Sequence, residues 1–318
     1  MKQDVIDVLI VGGGPAGLTA GLYAARANLN AVLVERLIPG GELLNTDLIE
    51  DYPGFVTTTG RELAERMEEH ALKFGLKIQQ GTVTKISRSD ETSLFTTKTE
   101  EGEEFVSKTV IMTAGGVPKK LDVPGEEEYA GRGVSYCAVC DGPLFRNKTV
   151  AVVGGGDSAF QESLYLTRHA SKVYLVHRRD EFRAQPILQD KVRDNDKIEL
   201  VTPGVIDEIG GGQTVQNAKV RNPKDGSKRD VALDGVFIFI GFTPNSGLFE
   251  GHLQHDEQGF LITNDRMETG VPGLYAAGDV RSQLARQITT AVGDATTAAI
   301  AAEQYIEDQA FKAERVQV

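Results

Sequence analysis

The sequence predicts an α/β protein made of two dinucleotide-binding domains, the second inserted into the first. Three features predict this. A buried-strand pattern near the N-terminus runs into a glycine-rich turn and a helix-prone segment. The same plan recurs in mid-chain: Gly12 and Gly154 lie 142 residues apart (154 − 12), as do Glu35 and His177 (177 − 35). A β-rich stretch follows each unit, and segments carrying Pro or Gly near 117–120 and 241–245 mark the crossings between domains.

In the first unit, Val8 to Val11 is a continuous run of β-formers, the pattern of a strand buried on both faces. Leu18 to Asn28 is Ala-rich and helix-prone, and Ala31 to Val34 makes a second strand ending at Glu35. Between them, Gly12-x-Gly14-x-x-Gly17 suits a dinucleotide pyrophosphate: glycines give the tight turn and close approach, and the helix N-terminus offers N–H groups. Glu35 can accept hydrogen bonds from two ribose hydroxyls. The bland alternative is a Gly-rich loop with a solvated Glu.

The second unit runs from Thr149–Val153 through Gly154-x-Gly156-x-x-Ala159, a helical stretch Phe160 to His169, and a strand Val173–Val176. Here the position of Glu35 is taken by His177-Arg178-Arg179, with Arg183 just beyond. An acid there would repel a 2′-phosphate, whereas guanidinium groups bind one with charge-assisted bonds. The first unit therefore suits FAD or NAD, and the second suits NADPH. The competing reading is that these arginines form surface salt bridges with Asp180, Glu181 and Asp190. Strands are also expected over Ile78–Ile86, Thr92–Thr99, Val106–Met112, Val215–Arg221 and Val231–Ile240, and a C-terminal helix over roughly Ile288–Glu307.

Composition narrows the function. The chain has 318 residues with 40% hydrophobic and 25% charged, enough for a real core in two domains. Glycine, at 35 residues, exceeds ordinary usage of about 7%, so many tight turns are expected. A net charge of −12 makes a general nucleic-acid or membrane-surface binder a poor fit. No apolar run is long enough to span a bilayer, and Asp4 and Asp7 interrupt any signal-peptide pattern, so a soluble cytoplasmic protein is expected.

The two cysteines, Cys137 and Cys140, enclose two residues and precede Asp141. This spacing lets one turn close an easily exchanged disulfide, and the adjacent acid can deliver or take a proton. A zinc site needs about four ligands, and no second such pair exists. A pair of small buried residues is the remaining alternative. Two dinucleotide sites in the same chain favour redox chemistry, because they supply electrons.

With these residues in hand, the chain resembles, from end to end, the low-molecular-weight thioredoxin reductases, a class II group of FAD/NAD(P)-dependent pyridine nucleotide-disulfide oxidoreductases. The resemblance is carried by the two glycine turns, Gly40-Gly41-Glu42-Leu43, Glu50-Asp51-Tyr52-Pro53-Gly54 and Cys137-Ala138-Val139-Cys140-Asp141-Gly142. It extends to His177–Ala184 and to Gly278-Asp279-Val280 with Arg286-Gln287. It implies two Rossmann-like three-layer (ββα) domains: an FAD domain over 1–117 and 245–318, and an inserted NADPH domain over 118–244 that carries the redox pair. Around FAD it places Gly12, Gly14, Pro15, Ala16, Gly17 and Glu35. Next come Gly41, Glu42, Leu43, Asn45, Asp51 and Val83, then Ala114 and Gly115. Gly278, Asp279, Arg286, Gln287 and Ile288 complete that set, with Asp279 on the ribityl chain and Arg286 and Gln287 beside the flavin. Around NADPH it places Gly154, Gly156, Asp157, Ser158 and Ala159, with His177, Arg178, Arg179 and Arg183.

The resemblance further implies that Cys140 faces the flavin, Cys137 attacks thioredoxin and Asp141 serves as acid/base. It also implies a homodimer, and a rotation of the inserted domain that lets disulfide and nicotinamide meet the flavin in turn. No metal is expected. Glu42 stands where the family usually has Gln, Asp51 where it has Asn, and Ala114 where it has Thr. A carboxylate near a flavin disfavours its anionic reduced form unless protonated or paired. The activity expected is NADPH-dependent reduction of thioredoxin disulfide. The same fold also serves dithiol oxidases and ferredoxin-linked thioredoxin reductases, and a flavin-bearing redox sensor without turnover is the reading from another class.

Overall fold

The computed structural model describes residues 5–46 and 49–316. The chain divides into two compact units, Met1–Val117 with Thr243–Val318, and Pro118–Phe242.

The first unit contains β1 (Ile6–Val11), α1 (Pro15–Arg26), β2 (Ala31–Glu35), α2 (Gly60–Lys73), β3 (Lys77–Gln80), β4 (Val83–Arg88), β5 (Phe95–Thr99) and β6 (Glu104–Met112). A strand at Leu274–Ala276 and the C-terminal helix Ile288–Val316 complete it. β3, β2, β1 and β6 run parallel in that order. Besides β1, β6 is long enough to serve two further partners. Its first half pairs antiparallel with β5 (Phe95↔Ser107), and its second half pairs in parallel with 274–276 (Leu274↔Val110).

Alternation along β1 builds the three layers. Val8 and Ile10 join a core with the alanines and Leu18 of α1 and with Ala291, Ala295, Ala298 and Ala302 of the C-terminal helix. Leu9 and Val11 point the other way, into a core with Ile86 and Phe95 from the antiparallel β4–β5 pair. Both faces are covered, which is why the strand reads as an unbroken apolar run. Small side chains let α1 and the C-terminal helix pack closely, and the buried Tyr275 hydroxyl donates to the Ala301 carbonyl at 3.1 Å.

The chain crosses into the second unit through β7 (Gly116–Pro118) and returns through 242–244; these two strands pair. The second unit comprises β8 (Val134–Ser135), α3 (Ala138–Asp141), β9 (Thr149–Val153), α4 (Asp157–Leu166), β10 (Lys172–Val176), α5 (Pro186–Arg193) and β11 (Ile198–Val201). β12 (Val205–Gly211), β13 (Val215–Arg221), β14 (Lys228–Ala232) and β15 (Gly235–Ile238) follow. A parallel sheet in the order β11-β10-β9-β15-β8 lies between α4 and α5 on one face and the antiparallel β12-β13-β14 sheet on the other. β9 repeats the logic of β1: Val150 and Val152 pack toward Phe160, Leu166 and Leu188, while Ala151 and Val153 pack toward Ile206, Val215 and Ala218. Both units are thus Rossmann-like and three-layered, as the sequence predicts.

Local differences have physical causes. The expected strand over 78–86 is two strands, because the chain changes partner there: β3 pairs in parallel with β2, a ladder that ends at the Gly81 N–H to Glu35 carbonyl bond (2.9 Å), and β4 pairs antiparallel with β5. The expected strand over 231–240 breaks between Ala232 and Gly235; there Asp234 accepts the Thr149 N–H at 2.9 Å. The C-terminal helix runs to Val316, beyond the expected 307. No helix among the described residues is long and apolar enough to cross a membrane.

Candidate active site

In the first unit, β1 ends in a turn that only glycine can make at two places. Gly12 has φ 105°, and its N–H is held by the Val34 carbonyl at 2.9 Å. A Cβ on Gly17 would lie 1.8 Å from the Gly12 carbonyl oxygen, so α1 seats directly against the turn. Thr113 locks the turn from β6, its hydroxyl lying 2.9 Å from the Val11 carbonyl and 2.8 Å from that of Gly12. Gly14 is the N-cap of α1 with no side-chain cap, and Pro15 begins the helix. Opposite, a Cβ on Gly41 would stand 3.0 Å from the Gly14 Cα, so the short helix Gly41–Asn45 approaches the same turn. This is a glycine-walled cleft at an uncapped helix N-terminus, and it fits a pyrophosphate.

Glu35 sits at its edge. Its carboxylate accepts the Gly13 N–H at 2.6 Å and the Leu37 N–H at 3.0 Å. A carboxylate offers about four acceptor sites, so capacity for hydroxyls remains. Gly278 reaches the cleft from the C-terminal segment; a Cβ there would lie 3.0 Å from that of Ala16. Its N–H donates to Asp294 at 3.2 Å, and Asp294 pairs with Arg281 at 3.1 Å. Only 15% and 12% of these two side chains is exposed, so the pair is an enclosed strut. Ala114 abuts Gly12, Gly115 has φ 53°, and Asn245 donates to the Ala114 carbonyl at 2.8 Å. Val83 opens β4, two residues past Gly81. Leu43 and Ile288 share a small apolar cluster with α2. Arg286 stacks on Phe260 at 3.8 Å, and the Gln287 N–H is taken by Thr290 at 3.1 Å. Asp51 stands apart on an exposed loop, with no hydrogen bond to this group among the described residues.

Two acids here hold their protons unusually well. Burial raises Asp279 above the ordinary carboxylate range; Arg286 opposes this and Asp294 adds to it. Burial also raises Glu42, with the Asn45 amide at 3.2 Å opposing and Asp279 adding. The surface of Glu42 nevertheless faces solvent, which marks a crowded concave wall rather than a fully buried acid. The folded chain therefore binds more protons than the unfolded chain between the ordinary and raised values, so wild-type stability falls as pH rises through that window. Glu42→Gln removes this loss. Its thermal midpoint should exceed wild type at pH 8, with the difference vanishing toward pH ~4, where both side chains are neutral. Equal midpoints at pH 8 would contradict the raised value.

In the second unit, a Cβ on Gly154 would meet the Phe239 carbonyl at 2.3 Å and the Ala159 methyl at 2.6 Å, so Ala159 is accommodated by the glycine facing it. Gly156 caps α4 without a side-chain cap, and its Cβ position faces open space. Asp157 takes the Gln185 N–H at 2.7 Å and its amide at 2.9 Å; Ser158 is exposed. The Arg183 N–H bonds the Gly155 carbonyl at 2.8 Å, which draws the basic segment over the turn. The His177 ring lies against Gly155. Burial lowers His177, partly offset by its bond to the Glu181 backbone, and Arg178, Arg183 and Arg179 lower it further. Near neutral pH the charge of this corner therefore comes from the arginines. All three are exposed, and none has a side-chain hydrogen bond or ion pair among the described residues. Asp180 instead pairs with Lys224 at 2.6 Å and Asp190 with Arg193 at 3.3 Å, which removes the surface-salt-bridge reading.

Cys137 immediately precedes α3, is disulfide-bonded, and accepts the Asp141 N–H on its carbonyl at 3.2 Å. The side chain of Cys140 lies outside the described residues. Asp141 is half-buried. No metal-holding cluster occurs among the described residues.

The model of the family described as "Pyridine nucleotide-disulphide oxidoreductase" matches residues 6–295. The chain belongs to that family. This oxidoreductase is 46% identical over 308 residues to the thioredoxin reductase of Bacillus subtilis (strain 168), covering 96% of each chain. It is 42% identical over 316 residues to that of Listeria innocua, covering 98% of each. Among solved structures, the thioredoxin reductase of Lactococcus lactis matches with a TM-score of 0.90 at 43% identity, over 95% of this chain and 99% of that one. Four residues of the first cleft are not singled out by the sequence reading: Gly13, Thr113, Arg281 and Asp294. Only Gly13, inside the Gly-rich run, could have been found from local spacing.

Proposed function

We propose that this enzyme reduces the disulfide of thioredoxin with NADPH, through FAD and a Cys137–Cys140 redox pair. It is an oxidoreductase with FAD and NADPH as cofactors, and its relatives over nearly the whole chain are thioredoxin reductases. Bound FAD supplies a two-electron relay between a nicotinamide hydride and a disulfide. The first unit holds it: the Gly12–Gly17 turn and the α1 N-terminus take the pyrophosphate, Glu35 the ribose, and Asp279 the ribityl chain, with Arg286 and Gln287 beside the ring. The second unit holds NADPH by the Gly154–Ala159 turn and by Arg178, Arg179 and Arg183. Cys137, as thiolate, attacks the thioredoxin disulfide through a mixed disulfide, and Asp141 moves the proton. The protein works in the cytoplasm, whose reducing poise suits a dithiol, and as a homodimer; sedimentation at twice 34.4 kDa checks the latter.

One observation carries the choice of donor. At equivalent positions of the two units stand a carboxylate already turned to the cleft, Glu35, and arginines with no protein partner among the described residues. That contrast favours NADPH over a ferredoxin- or oxygen-linked reaction. Charge-assisted bonds contribute about 1.5–3 kcal/mol each. The double variant Arg178→Ala/Arg179→Ala should therefore raise the KM for NADPH at least ~10-fold while leaving the KM for NADH, which lacks the 2′-phosphate, unchanged. An unaltered NADPH KM would remove these residues from the phosphate site.

A further inference from the structure

A hydrogen-bonded brace lies beside Cys137, and none of the roles above gives it a task. Ser135, the last residue of β8, is 5% exposed and fixed in the sheet opposite Phe237. Its Oγ accepts the Cys137 N–H at 3.0 Å and donates to the Cys137 carbonyl at 3.1 Å. The next residue, Tyr136, donates its hydroxyl to Glu126 Oε1 at 2.7 Å. Glu126 is 2% exposed and also accepts the Leu121 N–H at 2.8 Å and the Asp122 N–H at 2.6 Å. Asp122 is held with φ 57°, a conformation that side chains other than glycine rarely adopt. Burial and the facing carboxylates of Glu126, Asp122 and Glu127 keep the Tyr136 phenol protonated, so it remains a donor. A buried carboxylate is costly to desolvate, and here three donors compensate it.

From these contacts we propose that Ser135 and the Tyr136–Glu126 pair are positioning residues that keep the Cys137 backbone in its disulfide conformation when the bond is open. The inference rests on the Cys137–Cys140 pair proposed above. Closing a disulfide from two thiols of one chain is intramolecular, so its equilibrium follows the effective concentration of one thiol at the other. A backbone gripped at N–H, carbonyl and neighbouring side chain raises that concentration. The brace thus favours closure and makes the dithiol a stronger reductant. Against dithiothreitol the exchange balances: the protein S–S bond breaks, its sulfurs gain two electrons and two protons, and the reagent closes its own S–S bond.

The test equilibrates FAD-loaded enzyme anaerobically with mixtures of reduced and oxidised dithiothreitol, then traps thiols with iodoacetamide for mass analysis. The chain has two cysteines, so the doubly alkylated fraction is the dithiol fraction. Ser135→Ala and Tyr136→Phe should each shift the midpoint about tenfold toward easier reduction, equivalent to about 30 mV. Ser135→Thr, which keeps the hydroxyl, should return toward wild type. A loss of stability alone would not move this ratio in folded protein. If Ser135→Ala fails to fold, Tyr136→Phe, at a partly exposed ring, decides alone. Midpoints within twofold of wild type overturn the brace. Wild-type enzyme that never yields two thiols overturns the redox pair itself, and the brace with it.

Discussion

Cys137→Ser should stop thioredoxin turnover, with kcat falling more than ~1,000-fold, while NADPH still bleaches the enzyme's flavin absorbance at an undiminished rate. A serine hydroxyl does not ionise near neutral pH and forms no mixed disulfide, so the outward transfer has no route. The variant separates the two halves of the proposal. The glycine turns and the arginine corner lie outside the substituted side chain, so flavin and nicotinamide binding are untouched. Stopped-flow absorbance with NADPH, followed by a coupled thioredoxin assay, reads both halves. Turnover within tenfold of wild type would remove Cys137 as the nucleophile.

Gly17→Ala should strip the first unit of its cofactor. The new methyl would lie 1.8 Å from the Gly12 carbonyl oxygen, a contact of backbone with a fixed Cβ that no rotamer relieves. α1 would have to lift from β1, although Ala16, Leu18, Ala20 and Ala24 are all packed in the core. Overpacking of this kind costs about 1–3 kcal/mol, which lowers the melting midpoint by roughly 2–12 °C in a domain of 150–250 residues. The purified variant should be colourless. Gly156→Ala is the control, because nothing lies within 4 Å of its Cβ position. It should melt like wild type, stay yellow and bind NADPH poorly, since the added methyl would meet only the incoming cofactor. A yellow Gly17→Ala protein with a wild-type midpoint would contradict the packing account.

What the sequence made legible was set by range. The paired turns could be read because their glycines, strands and terminal charges repeat within about thirty residues, and both folded units follow that plan. α2 was missed because its 14 residues bury few apolar side chains, chiefly Leu63, Ala64 and Ala71. Its start was nonetheless signalled by Thr59 and Glu62, where the Thr59 hydroxyl accepts the Glu62 N–H at 3.1 Å. The end of the C-terminal helix was missed because residues 307–312 are all exposed, so no buried side chains mark a period there. In the first cleft, Asp294 reaches Gly278 from sixteen residues away, and Thr113 reaches Gly12 from more than a hundred. Such contacts arise from sheet register and helix packing, to which local spacing is blind. The unusual acid Glu42 could be noticed in the sequence; the Asn45 bond and the pressure from Asp279 belong to the folded chain.

Anaerobic titration with NADPH, followed by visible absorbance, tests the central claim most directly. A flavin and one disulfide, each a two-electron acceptor, should consume about two NADPH per wild-type chain and about one per Cys137→Ser chain. Wild-type enzyme that saturates at one equivalent, or whose flavin stays oxidised in excess NADPH, would contradict it.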